Sequence, residues 1–203
     1  MNSVEPIRDI KIIKNMRAIL KSQSSRNELL FMIGINVGLK ISDIITLKVS
    51  DLFKPNLKSI KESVSITEKK TGKTKKFYLG DKVEKLLLSY IKENPQLTLD
   101  SYIFFSRKGK NQHITREHAY RIINGAAESL GIVERDPITN KLISSEIGTH
   151  TLRKTFGYHA YQNGYSLELL MSIFNHSSSS QTLRYIGITE EQKKDVYLKA
   201  DLG

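Results

Sequence analysis

His150 and Arg153 stand three residues apart, and His176 and Tyr185 follow at a separation of nine. On a helix a three-residue spacing is one face, so an imidazole and a guanidinium placed there converge on a single anion. A second imidazole and a phenol arrive after a turn marked by Asn163 and Gly164 and a short apolar segment, Leu167 to Phe174. These types and spacings allow a phosphate surrounded by the four side chains, with the Tyr185 phenol as attacker. Each residue alone has a plainer reading, a histidine hydrogen-bonded within the fold or a tyrosine half-buried in packing. Tyr158, Tyr161 and Tyr165 are assigned to that packing class.

The 203 residues carry 32 Lys and Arg against 21 Asp and Glu, a net charge of +11, with 39% hydrophobic residues. That is enough chain for one domain, 1–203, with a core of its own, and the positive excess favours a polyanionic partner. Cysteine is absent, which excludes disulfides, thiolate ligands and a thiol nucleophile. The histidines, at 113, 118, 150, 159 and 176, lack carboxylates at ligand spacing, so no metal and no cofactor is expected. The sequence also has no P-loop, HExxH, GxSxG or dinucleotide-binding glycine pattern. No apolar run approaches the ~18 residues of a membrane span, and the start, MNSVEPIRDIKIIK, has no signal-peptide pattern. A soluble cytoplasmic protein is the expectation.

The elements that must position these residues are mostly helical. Asp9 caps an amphipathic helix within residues 1–24, Ser25 and Glu28 have the form of a capping box, and Leu29 to Val37 reads as a buried helix ending at Gly38. Ser42 and Asp43 open a short helix to Leu47, which puts Lys40 at a helix-to-helix turn. From Ile60 to Leu79 the apolar period becomes two, predicting a β-hairpin whose tip carries Lys69, Lys70, Lys73, Lys75 and Lys76. Such a basic finger suits a nucleic-acid groove, although lysines also discourage edge pairing on a solvated hairpin. Asp81 then caps a helix to about Glu93, Tyr102 to Phe105 is extended, and Arg107, Lys108 and Lys110 make a second basic loop. Thr115 begins a helix ending near Gly131, residues 134–147 form an irregular connection or small hairpin, and Thr149 caps the helix of His150 and Arg153.

Five segments, in order, give the chain a family resemblance: Gly38-Leu39-Lys40-Ile41-Ser42-Asp43, Lys70-Thr71-Gly72-Lys73, His150-Thr151-Leu152-Arg153, Asn175-His176-Ser177-Ser178 and Thr182-Leu183-Arg184-Tyr185. Together they resemble the catalytic domain of the tyrosine recombinases, or phage integrases. The resemblance implies a mixed α+β, mostly helical fold with a small antiparallel hairpin, about 60–79, packed at one side of a helical core. It further implies metal-free transesterification of double-stranded DNA. Tyr185 would attack the scissile phosphate to leave a 3′-phosphotyrosyl link, and Arg153 would clamp nonbridging oxygens. His150 and His176 would donate to the phosphate or relay a proton, His150 being the first candidate to help Tyr185. Lys70 would protonate the departing 5′-oxygen, with Lys69 and Lys73 as alternatives.

Two departures qualify the resemblance. The first cation of the family's site is normally arginine in Gly-Leu-Arg and is here Lys40, a point charge without the planar fork, so reduced cleavage is expected. A DNA-binding or accessory protein with impaired catalysis is the competing reading, and relaxation of supercoils in the manner of a type IB topoisomerase is a third. The family's usual N-terminal DNA-binding domain also has no counterpart, since only about 24 residues precede the first buried helix. A stand-alone catalytic domain is therefore expected, assembling on DNA as a dimer to tetramer through residues 189–203 or helped by an accessory DNA-binding protein. Localisation to the cytoplasm and, on DNA, to the nucleoid follows from that expectation.

Overall fold

A computed structural model describes residues 4–67, 72, 74–108, 111–135, 142–144, 147–188, 194 and 197–199. The Asp9 carboxylate accepts from the Lys11 amide and starts α1 (Ile10–Gln23). Ser24, rather than Ser25, caps α2 (Ser25–Val37), its hydroxyl accepting from the Asn27 amide. Glu28 does not close a capping box. It is nearly buried and pairs with Arg17 of α1 at 2.7 Å.

Leu29, Leu30, Phe31 and Ile33 of α2 are fully buried, and α1, α5 and α7 pack around it. Burying four such side chains contributes on the order of 1.5–3 kcal/mol each, which makes α2 the axis of the main core. After the Gly38 turn come α3 (Ile41–Ile44) and α4 (Val49–Leu52). The expected helix from Asp43 to Leu47 thus begins earlier, because Ile41 and Ile44 both turn into the core.

The hairpin is present, with shorter arms than the alternation suggested: β1 (Val64–Thr67) pairs antiparallel with β2 (Thr74–Phe77). Val64 faces Phe77 and Thr67 faces Thr74. The Val64 and Phe77 end is buried while Thr67 and Thr74 at the other end are exposed, so one end of the described hairpin is anchored in the core. Next, α5 (Asp81–Glu93) is capped by Gly80, with Asp81 in its first turn. The Tyr90 hydroxyl donates to the Ile103 carbonyl at 3.0 Å, tying α5 to the extended segment from Tyr102 to Phe105. Thr115 caps α6 (Arg116–Glu128) as expected.

Within the irregular connection, β3 (Glu134–Arg135) pairs with β4 (Leu142–Ser144). Gly148, not Thr149, is the N-cap of α7 (Thr149–Gln162), and its amide donates to the Thr151 hydroxyl at 3.0 Å. The α7 register is set by close packing on α2: a methyl group added to Gly34 would lie 2.5 Å from Leu152 Cδ1. Leu152 lies between His150 and Arg153, so this contact decides which way both functional side chains face. A second, smaller apolar cluster of Leu170, Phe174 and Ile186 joins α8 (Leu167–Phe174) and α9 (Ser179–Tyr185) to α7. Among the described residues no helix is long and apolar enough to cross a membrane.

Candidate active site

Arg153 is buried, with 3% of its surface exposed. Its Nη1 donates to the Gly38 carbonyl at 2.6 Å and its Nη2 to the Phe174 carbonyl at 2.8 Å, while Cζ stands 4.6 Å from the centre of the Phe174 ring. The guanidinium is therefore fixed between the turn after α2 and the end of α8. Gly38 has φ +68°, and a methyl group there would lie 2.5 Å from Phe156 Cδ1. That turn needs glycine on both counts, and it carries the chain two residues on to Lys40.

Asn175, at φ 55°, ends α8 in the left-handed conformation and delivers His176. The His176 Nδ1 lies 3.0 Å from the Thr182 hydroxyl, which itself donates to the Ser178 carbonyl at 3.4 Å. The network therefore assigns the proton to Nδ1, leaving Nε2 to accept when the ring is neutral. The rings of His176 and Tyr185 meet edge to face, 5.0 Å between centres, and Phe174 lies 5.5 Å from the same phenol ring. Burial pushes the Tyr185 phenol above its ordinary value, opposed by the charge of Arg153 and by a hydrogen bond from it.

His150 is exposed at the start of α7. Partial desolvation lowers its pKa, as do the cations Arg116, Arg153, Lys154 and Lys40. His176 is lowered by burial and then by Arg153, Lys40 and Lys75. Arg153 and Lys40 act on both rings, and Lys75 acts on His176 alone. Lys40 also lines a concavity of about 680 Å³ with Lys48, Tyr102 and Arg116. The structure thus gathers His150, Arg153, His176, Tyr185 and Lys40 into one electrostatic neighbourhood. His176 is the imidazole packed on the Tyr185 ring.

Of the expected DNA-contacting residues, Lys75 and Lys76 lie on β2, with Lys76 Nζ 5.5 Å from the Tyr78 ring centre. Arg107 and Lys108 line a separate concavity of about 600 Å³ together with Arg26, His118 and Arg121. Lys69, Lys70, Lys73 and Lys110 lie outside the described residues, as does most of 189–203. Two cations near the site were not singled out by the sequence. Arg116 occupies the first turn of α6, a position its capping Thr115 would have flagged. Lys154 holds its Nζ 5.5 Å from the Tyr185 ring centre while donating to the Val4 carbonyl at 2.7 Å, a placement only tertiary structure reveals. Among the described residues no group of three or more His, Asp or Glu side chains is arranged to hold a metal ion.

The phage integrase family model matches residues 9–192. A probable integrase/recombinase of Bacillus subtilis, YoeC, is 37% identical over 97% of this chain and 97% of its own length. The tyrosine recombinase XerD of Oceanobacillus iheyensis is 28% identical over 86% of this chain, which spans 54% of that longer protein. Among solved structures, the XerA recombinase superposes with a TM-score of 0.73 at 17% identity, covering 100% of this chain and 68% of the XerA chain. At that identity the likeness is one of fold.

Proposed function

The chain belongs to the phage integrase family, whose business is DNA recombination, and from that premise we propose that it breaks and rejoins duplex DNA site-specifically with Tyr185 as nucleophile. The observation that carries the reading is the His176 ring set edge to face on the Tyr185 ring, with the buried Arg153 guanidinium fixed beside Phe174, which packs on the same phenol ring. The phenol oxygen attacks the scissile phosphorus, the bond to the 5′-oxygen breaks, and a 3′-phosphotyrosyl link and a 5′-hydroxyl result. The covalent link conserves the phosphodiester energy for attack by a second strand.

Burial leaves the phenol protonated at neutral pH, so it must give up its proton as it attacks. The acceptor is His150 or His176, both held toward the neutral state by their surroundings. Arg153 stabilises charge developing on nonbridging oxygens, and Lys40 adds a point charge beside it. Lys70 supplies the proton to the leaving 5′-oxygen, with Lys69 and Lys73 as alternatives. Lys75, Lys76, Arg107 and Lys108, with Lys48 and Arg116, track the flanking backbone, as do Lys69, Lys73 and Lys110 of the two loop tips. Affinity is therefore expected to fall steeply with salt.

The test is covalent trapping. A duplex nicked beside the cleavage site is expected to leave protein attached to DNA through Tyr185. The absence of an adduct with any duplex tested, Lys40→Arg included, would leave the competing reading, a DNA-binding protein impaired at Lys40. Loss of supercoils from a plasmid without a recombination site would instead indicate relaxation of the type IB kind.

Strand exchange also needs protomers on both duplexes, so assembly on DNA as a dimer to tetramer is part of the proposal, with an accessory DNA-binding protein as the alternative partner. The C-terminal residues 189–203 are the proposed contact, supported by the exposure of Tyr197 and Leu198 at 85% and 66%. Deleting 189–203 is expected to abolish assemblies larger than one protomer per site in a gel-shift titration. Unchanged assembly would remove the tail from this role.

A further inference from the structure

The segment Val4 to Arg8 runs along α7 from its N-cap, Gly148, to the turn that follows Tyr185. Val4 packs on Gly148, where an added methyl group would lie 3.0 Å from Val4 Cγ1, and its carbonyl accepts from Lys154 Nζ at 2.7 Å. The Ile7 amide donates to the Thr155 hydroxyl at 2.9 Å, and its carbonyl lies 2.9 Å from His159 Nε2, so Nε2 is the donor. Arg8 then stacks near Tyr158, with 5.5 Å from Cζ to the ring centre, and donates to the Gly187 carbonyl at 3.0 Å. Gly187 has φ +75°, and a methyl group there would meet Arg8 Nη2 at 2.8 Å and Glu5 Oε2 at 3.0 Å. The closeness of this fit leaves no room for a side chain between the segment and the turn.

These contacts bracket the nucleophile. On one side Lys154, held by Val4, faces the Tyr185 ring. On the other, Arg8 holds the backbone two residues beyond it. The helix α9 that carries Tyr185 has only seven residues and is joined to α7 through the small cluster of Leu170, Phe174 and Ile186. Such an element has little packing of its own with which to fix a phenol oxygen, and a misplacement of about 1 Å at a nucleophile costs on the order of 10²-fold in rate.

We propose that Val4–Arg8 is a strap that positions the nucleophile, joining the helix of His150 and Arg153 to the turn after Tyr185, with Arg8 and Lys154 as its positioning residues. This rests on the reading of Tyr185 as nucleophile, and the experiment separates the two. Arg8→Ala and Arg8→Lys are made in the full chain and compared for single-turnover cleavage of the nicked duplex, for affinity toward it, and for amide hydrogen exchange. The amides that report the strap are those of Ile186, Gly187 and Ile188, which close the end of α9 on Thr182, Arg184 and Leu183.

For Arg8→Ala, cleavage is expected to slow about tenfold with affinity held within about twofold, and the three amides to exchange about tenfold faster. Arg8→Lys, which can still donate to the Gly187 carbonyl, is expected to recover cleavage to within about threefold of the wild type. Unchanged exchange at residues 186–188 overturns the strap whatever the chemistry does. Faster exchange throughout α2 and α7 with a matching loss of affinity overturns it too, since Arg8 would then serve general stability. Exchange that responds locally in a chain forming no adduct upholds the tether between Arg8 and the turn after α9 but overturns Tyr185 as nucleophile, and with it the positioning role.

Discussion

Arg153→Lys is expected to slow formation of the covalent intermediate by about 10²- to 10³-fold, the usual cost of removing one preorganised donor from a site where charge develops. The argument is geometric. The guanidinium spends one branch on the Gly38 carbonyl and another on the Phe174 carbonyl, and its charge acts on the Tyr185 phenol. A planar fork with five donors can hold those anchors and still present N–H groups to a phosphate, whereas an ammonium has three donors radiating from one atom. Lysine at this position keeps the charge and gives up the fixed direction. Affinity for a duplex, dominated by phosphate contacts elsewhere, is expected to change far less than the rate. Single-turnover trapping at saturating protein measures the one and a salt titration of binding the other. A variant that cleaves within about tenfold of the wild type would mean that Arg153 chiefly braces the fold.

What the sequence revealed of the site, and what it concealed, follows from the range of the forces involved. His150 and Arg153 share a helix, so their common face is a local property that spacing reports. His176 follows the left-handed Asn175 and Tyr185 ends a helix capped by Ser178, and these too are local. Three helix starts fell one residue earlier than expected, at Ser24, Gly80 and Gly148 in place of Ser25, Asp81 and Thr149. In each case the earlier residue takes extended backbone and the polar residue enters the first turn. For Asp81 that position also suits the positive end of the helix dipole. Lys154 and Arg8 were beyond reach, because their partners lie about 150 and 179 residues away in sequence and no periodicity encodes a contact made by the fold as a whole.

The second large effect concerns pH, and it takes opposite signs for the free chain and for its complex with DNA. His150 and His176 both titrate below their ordinary value in the free chain, through desolvation first and the surrounding cations second, and His118 is lowered likewise by burial, Arg26 and Arg121. Between the folded values and about 6.5 the unfolded chain binds more protons than the folded one, so stability rises with pH. It is present in full above about 6.5 and is lost as pH falls through the folded values, so the melting temperature should drop between about pH 7.5 and 5.5. A phosphate brought against one of these two rings reverses its local field and favours its imidazolium, while the other stays neutral to accept the Tyr185 proton, so binding takes up a proton. Affinity for duplex DNA, measured with Tyr185→Phe to prevent cleavage, is then expected to tighten as pH falls, by up to about tenfold per pH unit for the proton taken up. The variant with both His150→Asn and His176→Asn should lose that slope, and a slope unchanged in it would place the protons elsewhere. Lys40→Arg preserves the charge that depresses both rings, so it should leave the slope intact while raising the cleavage rate. That separates what Lys40 contributes as a charge, which the site keeps, from what it lacks as a fork.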